Sequence, residues 1–325
     1  MTHSHTTRRI FFWCAAIAAT AWSGLSLAQP QMTRIIVAFP PGGPVDFVAR
    51  TLAEQLGKEL GHTVVIENKA GANGAIAADF VSRAPADTRT LWLTSVGAVA
   101  INPSLYPKLS YKPATDLTPV SLVVSNVEML VVNAKAPYNT GAEFVAAARK
   151  ASAPLTMASS GTGSVPHLAM ELLNEHARIK LSHIPYKGAA PAITDVVAGH
   201  VDGFFGDIPG LIGQITAGKL KPIGIAATKR HPRFPDVKTF AEMGIDGVDS
   251  DNWYALFAPK GTPAPEIAKM NQAVQRALNT PSVKNKLEAS GAEVAASSPA
   301  ELAKTLAADT LKWNRVVRAN SITPD

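Results

Sequence analysis

The sequence predicts an α/β protein made of two lobes. Short apolar runs rich in β-branched residues alternate with apolar residues at helical spacing in the order βαβαβ, which is typical of a parallel sheet covered by helices. A second unit later in the chain again runs from a strand through a glycine-rich loop into a helix. Nearly 300 residues remain after an amino-terminal leader, more than one hydrophobic core usually supports. We therefore expect two cores.

The first 28 residues are predicted to be a cleavable signal peptide. Arg8 and Arg9 precede an apolar stretch over 10–21, and small residues at 26–28 suit a signal peptidase. The stretch is too short and too interrupted for a lasting membrane anchor. The pattern favours Sec export, with twin-arginine export as the alternative, and it predicts a periplasmic protein.

Composition argues against several kinds of function. The leader holds Cys14, the only cysteine, so the exported chain is expected to have no disulfide and no thiolate metal site. The leader also holds two arginines and no acid, which leaves a formal charge of +4 against +6 for the whole chain. That charge forms no dense basic face for nucleic acid. The histidines are scattered and no pair of carboxylates stands out, so we expect no metal site, no cofactor and no acid–base catalysis.

The first strand, predicted at 34–38, leads through a turn of prolines and glycines into a helix that begins near residue 45. Unpaired N–H groups at a helix start carry partial positive charge, so a small anion can bind there without lysine or arginine. Glycines allow close approach to the main chain, and an acid in the first turn can cap the helix or meet a ligand's donor. An ordinary capped turn is the alternative. The candidate ligand-binding residues of this Pro/Gly loop (residues 39–43) and the following turn are Phe39, Pro41, Gly42, Gly43 and Asp46.

The next two strands, predicted at 64–67 and 91–94, would lie beside the first in a parallel sheet. Ligands of such sheets bind at the carboxyl ends of the strands. Asn73, in the turn after the second strand, and Ser95, directly after the third, should therefore share an edge with the Pro/Gly loop. For Ser95 a plain helix cap is the alternative.

Two apolar strands, predicted at 120–124 and 129–132, would carry the chain into the second lobe, and a strand at 253–258 would return it. The helices predicted after this last strand are expected to support the fold and not to form part of a binding site. The predicted organisation is a first lobe over 29–128 and 252–325, a second lobe over 129–251, and hinges near 125–131 and 248–252.

The second unit offers hydroxyls and bare amides to an anion in its Ser/Gly loop, residues 159–164. The loop lacks the third glycine of the dinucleotide fingerprint, and the chain has no Walker A and no G-x-S-x-G motif. Further along, a tyrosine and an aspartate at strand ends could wall the ligand or accept from it; packing and capping are the alternatives. The candidate residues of this unit are Ser160, Thr162, Gly163, Ser164, His167, Tyr186 and Asp207.

Five stretches, taken together and in order, resemble the receptors of tripartite tricarboxylate transporters, also called the Bug family. They are Val-Ala-Phe-Pro-Pro-Gly-Gly-Pro-x-Asp-x-x-Ala-Arg at 37–50, Glu-Asn-Lys-Ala-Gly-Ala-Asn-Gly at 67–74, Ser-Ser-Gly-Thr-Gly-Ser-x-x-His-Leu at 159–168, Pro-Tyr-Lys-Gly-x-x-Pro-Ala at 185–192, and the strand from Trp253 that ends in Ala-Pro-x-Gly-Thr-Pro at 258–263. The resemblance covers essentially the whole mature chain. Residues 85–90 and 249–252 depart from the family's usual sequence, which affects local loop shape and the crossing between lobes.

This resemblance implies a type II periplasmic-binding-protein fold (a Venus flytrap), in which each lobe is a mixed sheet flanked by helices. It also implies a small carboxylate clamped between the lobes by amides, hydroxyls and waters of the two loops. The ligand would be a di- or tricarboxylate, an acidic amino acid or an aromatic acid, and the partner would be the inner-membrane subunits of a tripartite transporter.

The sequence therefore predicts a monomeric periplasmic receptor without catalytic activity, serving uptake or sensing. An exported serine hydrolase that uses Ser160 or Ser164 is the alternative, and it would turn over esters. A structural or adhesion module is a third hypothesis, and it would bind no small acid.

Overall fold

The computed structural model describes residues 32–323, and the predicted signal peptide lies outside them. Within this range no helix is both long and apolar enough to cross a membrane. The described strands form two sheets. In chain order they are β1 (Met32–Val37), β2 (Thr63–Asn68), β3 (Thr90–Ser95), β4 (Leu117–Asn126), β5 (Glu128–Asn133), β6 (Thr156–Ser159), β7 (Ser182–Pro185), β8 (Gly203–Asp207), β9 (Leu220–Ala226), β10 (Asn252–Pro259) and β11 (Glu293–Val294).

The first sheet has the order β11-β4-β10-β3-β1-β2. Strand β1 pairs in parallel with β2 and β3, while β10 pairs antiparallel with β3 and β4. Because β1, β2 and β3 run the same way, the loops that follow them lie along one edge. The Pro/Gly loop, Asn73 and Ser95 are brought to that edge by this parallel half.

The second sheet has the order β7-β6-β8-β5-β9. Strand β6 pairs in parallel with β7 and β8, and β5 pairs antiparallel with β8 and β9. Both sheets are mixed and both are flanked by helices, so the predicted fold class is confirmed. The loops after β6, β7 and β8 share one edge and carry the Ser/Gly loop, Tyr186 and Asp207.

Helices cover both faces of each sheet because the inner strands are apolar on both sides. In β1, Ile36 packs into one core while Ile35 packs into another on the opposite face. In the second sheet, Phe205 and Phe204 divide between two cores in the same way. The helices are α1 (Pro44–Leu60), α2 (Ala75–Ser82), α3 (Asn102–Leu105), α4 (Pro113–Asp116), α5 (Gly141–Lys150), α6 (Val165–Ala177), α7 (Ala189–Ala198), α8 (Ile208–Thr216), α9 (Ala264–Asn279), α10 (Pro281–Ser290) and α11 (Pro299–Ala319).

Four of these helices were not predicted from the sequence: the single-turn helices α3 and α4, and the longer helices α5 and α8. Helix α5 begins at Thr140, whose hydroxyl accepts from the Glu143 N–H at 3.2 Å, while Glu143 accepts from the Asn139 N–H at 2.7 Å. This Thr-x-x-Glu pattern is a recognisable helix start that sequence reasoning passed over. Helix α8 contains a proline and two glycines, which read as loop residues in isolation.

The chain passes from the first sheet to the second with only Val127 between β4 and β5, and it returns just before β10. Here Asn252 pairs with Asn126 in the first sheet, and Glu128 pairs with Asp207 in the second. Strands of both sheets therefore meet beside the carboxyl end of β8. The lobe boundaries and hinge positions given above stay predictions.

Candidate functional site

A cavity of about 60 Å³ lies between loops that follow strands of both sheets. At about 10–15 Å³ per water it has room for roughly four to six waters, the scale of a small metabolite. Pro44, Ile193 and Phe204 are among the apolar side chains of its wall. The predicted site residues on this wall are Phe39, Pro41, Gly43, Asn73, Ser95, Ser160, Ser164 and Asp207.

A second, larger cavity of about 640 Å³ adjoins the first and shares Pro40, Ser160 and Gly188 with it. Its wall includes two further predicted residues, Thr162 and Tyr186. The remaining predicted residues, Gly42, Asp46, Gly163 and His167, lie on neither of these two walls.

Asp46 holds the Pro/Gly loop from behind. The residue is 3% exposed, and its carboxylate accepts from the Gly42 N–H at 3.0 Å, from Arg50 Nε at 2.8 Å and from Asn68 Nδ2 at 2.9 Å. Burial raises the pKa of this carboxyl, but the donors Arg50, Gly42 and Asn68 outweigh burial and lower its pKa below the usual value. All three donors to Asp46 are therefore groups of the protein itself and not of a ligand. Their hydrogen bonds with Asp46 fix the shape of the Pro/Gly loop.

Helix α1 begins directly after Gly43, which lines the cavity and caps the helix without a side-chain hydrogen bond. Its φ is −81°, so this position does not require glycine for its backbone. A Cβ at Gly43 would lie 3.5 Å from the Pro40 carbonyl oxygen, an ordinary contact. Larger side chains at this position would extend from the cavity wall.

Asn73 joins the loops of the two sheets. Its backbone is left-handed, with φ 46° and ψ 43°, a conformation that asparagine adopts more readily than most residues. Its Nδ2 donates to Asn102 Oδ1 at 2.9 Å and to the Gly163 carbonyl at 2.8 Å. Asn73 thus ties the first sheet to the Ser/Gly loop of the second.

The Ser/Gly loop is held by histidines behind it. The Gly163 N–H donates to His167 Nδ1 at 3.1 Å, and the His167 ring stacks on His183 at 3.7 Å. Ser159 Oγ lies 2.6 Å from His183 Nε2. His167 is 4% exposed, and its Nδ1 accepts the hydrogen bond from the loop backbone. It is therefore not oriented as a base for a serine nucleophile.

Ser164 is the polar group on the wall that most clearly lacks a partner. It is 3% exposed, it precedes α6 without capping it, and its Oγ makes no hydrogen bond with any described residue. Buried hydroxyls are normally satisfied, so an unpaired Oγ on a cavity wall indicates a ligand or water partner there. Because this hydroxyl also has no base beside it, the geometry does not support the hydrolase alternative at Ser164.

Tyr186 lies on the wall of the larger cavity. Its hydroxyl donates to Asp195 Oδ2 at 2.5 Å. Burial, together with the Asp195 charge, raises the pKa of Tyr186 to about 12. The phenol is therefore a neutral donor that is already bonded to Asp195 of α7, which leaves its ring to line the cavity.

Asp207 belongs to a carboxyl pair that sequence reasoning missed. Asn252 Nδ2 donates both to Asp207 Oδ1 at 2.9 Å and to Glu128 Oε1 at 3.1 Å, and the Tyr254 hydroxyl donates to Asp207 Oδ2. Glu128 is fully buried and its Oε2 has no donor among the described residues. The two acids are 79 positions apart in sequence but opposite each other in the β5–β8 register, so no local pattern could reveal them.

Burial makes both acids of this pair harder to ionise. Burial raises the pKa of Glu128 well above its usual value, and the nearby Asp207 charge raises it further. Burial also raises the pKa of Asp207, against the lowering effect of Tyr254, Glu128 and Asn252. Two buried carboxylates without a cation disfavour each other's ionisation, and Glu128 is the acid of the pair whose pKa is raised further.

Replacing Glu128 by glutamine is expected to change how stability depends on pH. The unfolded chain releases the Glu128 proton near pH 4.5, while the folded chain keeps it to a higher pH, so wild-type stability falls between those values. Glutamine has nearly the same shape and cannot ionise. Thermal melts from about pH 5 to about pH 8 should show the variant gaining stability relative to wild type as pH rises. A constant difference across that range would contradict the raised pKa of Glu128.

Three contacts close the space between the two sheets over the cavity. Besides the Asn73–Gly163 bond, a Cβ on Gly188 would lie 3.2 Å from Pro40 Cγ, and a Cβ on Gly210 would lie 2.8 Å from Pro44 Cγ. Both glycines belong to the second sheet's side and both prolines to the first. Among residues 32–323, no group of three or more His, Cys, Asp or Glu side chains is arranged to hold a metal ion.

Sequence comparison places the chain among known receptors. BugT of Bordetella pertussis is 34% identical over 310 residues, covering 95% of this chain and 94% of BugT. The family model for the tripartite tricarboxylate transporter family receptor matches residues 48–322.

Structural comparison agrees. The periplasmic binding protein BugD is 33% identical, with a TM-score of 0.85 over 90% of this chain and 99% of BugD. MatC from Rhodopseudomonas palustris, solved with malate, is 35% identical, with a TM-score of 0.84 over 89% of this chain and 100% of MatC. Rpa4515 of R. palustris, solved with adipate, is 31% identical, with a TM-score of 0.87 over 90% of this chain and 98% of Rpa4515. The chain described here belongs to the family of tripartite tricarboxylate transporter receptors.

Proposed function

We propose that the protein is a periplasmic receptor that captures a small carboxylate-containing metabolite in the cavity between its two sheets. The observation that carries this proposal is Ser164, a buried hydroxyl without a partner at the start of a helix on the cavity wall. MatC and Rpa4515, which resemble this chain over almost their whole length, were solved with malate and adipate, both carboxylates.

The ligand carboxylate would bind where two helix starts meet the cavity. Helix α1 starts after Gly43 and α6 after Ser164, and neither start is capped by a side chain. Unpaired N–H groups and the helix dipole favour an anion at both. The hydroxyls of Ser95 and Ser160 on the same wall would add donors. Asp46, Gly42, Gly163 and His167 would serve by holding the loops.

The proposed role is delivery of the ligand to a tripartite transporter in the inner membrane, or to a sensor. The predicted signal peptide over residues 1–28 would bring the chain to the periplasm, by Sec export in the first instance. We propose that the protein acts as a monomer and has no catalytic activity. The side chains of Tyr186 and Phe39 would form part of the wall of the binding space. Pull-down of the transporter's membrane subunits by the liganded receptor would support the transport role.

Ligand capture is tested directly by thermal shift with di- and tricarboxylates, amino acids and aromatic acids. A ligand at about one hundred times its Kd adds about 2.7 kcal/mol of stability, which raises Tm by several degrees for a chain of this size. The matching amides, which lack the negative charge, should give no shift. A chain that responds to none of the acids would contradict the proposal.

Gly43→Val is expected to weaken binding at least about tenfold, because its two methyl groups would occupy the space where the carboxylate meets the α1 start. Gly43→Ala is the matched control, since a Cβ alone meets only the Pro40 carbonyl at 3.5 Å. Titration calorimetry should place the alanine variant near wild type. Equal affinities for wild type and valine variant would show that the ligand does not approach this loop.

A further inference from the structure

The Glu128–Asp207 pair forms part of the boundary of the cavity and gives one end of it a negative character. Asp207 is on the cavity wall together with Asn252 and Tyr254, its two hydrogen-bond donors. Within the described residues neither acid of the pair has a cation at ion-pair distance. A site that binds anions thus contains a buried acid that a second anion would have to face.

The pair lies close to where the ligand carboxylate would bind. Strand β8, which ends in Asp207, is the direct neighbour of β6, which leads into the Ser/Gly loop. Ser164 and Asp207 line the same cavity of about 60 Å³, so the far end of an acid held at Ser164 would share that space with Asp207. The unpaired Ser164 Oγ on the same wall independently indicates a ligand in this space.

Resting on the proposed function, we propose that the Glu128–Asp207 pair decides which carboxylates enter this cavity: it accepts a monocarboxylate whose far end carries a hydroxyl or ammonium donor, and it rejects a dicarboxylate. Each Asp207 oxygen already accepts one protein hydrogen bond and has a second lone pair for a ligand donor. A second carboxylate has no donor to offer and meets a like charge, which is a strong means of excluding a wrong ligand.

Protonation of the pair links this selectivity to pH. The groups that face the pair are the two acids themselves from β5 and β8, and Tyr254 and Asn252 from β10; Lys187 lines the cavity from the loop after β7 and is exposed. A dicarboxylate would bind together with a proton, which neutralises the pair. Its affinity should therefore fall as pH rises, whereas the affinity of a hydroxy acid should change little.

The test uses acids of equal chain length in calorimetry: succinate, 4-hydroxybutanoate and 4-aminobutanoate, and then adipate, 6-hydroxyhexanoate and 6-aminohexanoate. For at least one chain length, wild type should bind the hydroxy or amino acid at least about tenfold more tightly than the dicarboxylate. The hydroxy and amino forms tell whether the donor is neutral or cationic.

Two variants complete the test, with circular dichroism and melting curves to establish folding. Asp207→Asn should improve dicarboxylate binding at least about tenfold and remove the preference for an ammonium group. Glu128→Gln, which removes one ionisable group of the pair and leaves Asp207 in place, should keep the wild-type preference but lose its pH dependence. If Asp207→Asn does not fold, the inference is tested by the pH dependence of ligand affinity in Glu128→Gln and in wild type.

A wild type that prefers the dicarboxylate, or a preference that Asp207→Asn leaves unchanged, would overturn this inference while the proposed capture of carboxylates stands. Binding of none of the six acids would overturn the inference and count against the proposed function as well.

Discussion

Gly210→Ala is expected to weaken ligand binding about tenfold or more while leaving the fold at least as stable as before. Gly210 lies in α8, on the second sheet's side, and its backbone is helical, so alanine suits it and adds up to about 1 kcal/mol of helix stability. The new Cβ, however, would lie 2.8 Å from Cγ of Pro44, the first residue of α1. A proline ring cannot turn away from such a contact.

Overpacking of this kind costs about 1–3 kcal/mol, and 1.4 kcal/mol is a tenfold change in affinity. The cost falls only on the form in which α8 and α1 touch, which we expect to be the ligand-bound form. Calorimetry would measure the affinity, and urea unfolding without ligand would measure the stability.

Gly213→Ala is the control for this prediction. Gly213 lies one turn further along α8, is exposed, and a Cβ there meets nothing within 4 Å. It should show the same gain in helix stability and wild-type affinity. Equal affinities for the two variants would contradict the idea that the Gly210–Pro44 contact accompanies binding. A loss of folding stability confined to Gly210→Ala would show instead that the contact is permanent.

Asp46→Ala is expected to lower the free energy of unfolding by about 2 kcal/mol. The substitution leaves the Gly42 N–H without its side-chain acceptor, and it removes one acceptor each from Asn68 Nδ2 and from Arg50. Because these bonds hold the Pro/Gly loop, affinity should fall along with stability. Urea unfolding with a fitted midpoint and slope would measure the loss.

The same helix supplies a matched control in the Glu54–Lys58 pair. Glu54 and Lys58 have the same i,i+4 spacing as Asp46 and Arg50 and the same 2.8 Å contact, but their side chains are 81% and 64% exposed. Exposed pairs contribute about 0–1 kcal/mol, so Glu54→Ala should be nearly neutral. Similar losses of unfolding free energy in the two variants would mean that the hydrogen bonds from Asp46 to the loop do not add to the stability that Asp46 provides.

Asp46 also gives a pH dependence of opposite sign to that of Glu128. Its pKa is lowered in the folded chain, so its stabilisation is present above the ordinary value of 3.8 and is lost as pH falls through the lower folded value. Glu128, by contrast, costs stability as pH rises. Together, these two groups therefore stabilise the folded chain most in mildly acid solution.

Much of the cavity could be predicted because parallel strands put their carboxyl ends on one edge. The Pro/Gly loop, Asn73 and Ser95 follow three such strands, and Ser160, Ser164 and Asp207 follow two strands of the other sheet. Local patterns of strand, glycine loop and helix are enough to find these residues, and the structure gathers them on one wall.

What the sequence does not reveal is how each residue uses its hydrogen bonds. Asp46 and His167 follow the two loops at similar distances, yet both turn inward to the loop backbone. Glu128 stands at the start of an apolar strand and looks like a surface residue until β8 and β10 pack around it. Such roles depend on contacts between distant segments, and a single sequence carries no record of them.

The central claim is that main-chain amides and serine hydroxyls of the two loops hold the ligand's carboxylate. A crystal structure of the protein with the acid that gives the largest thermal shift tests it most directly. We expect the carboxylate oxygens to accept hydrogen bonds of about 2.7–3.2 Å from N–H groups at the α1 start and from Ser164 Oγ. A carboxylate found on a lysine or arginine side chain, or outside the cavity between the sheets, would contradict it.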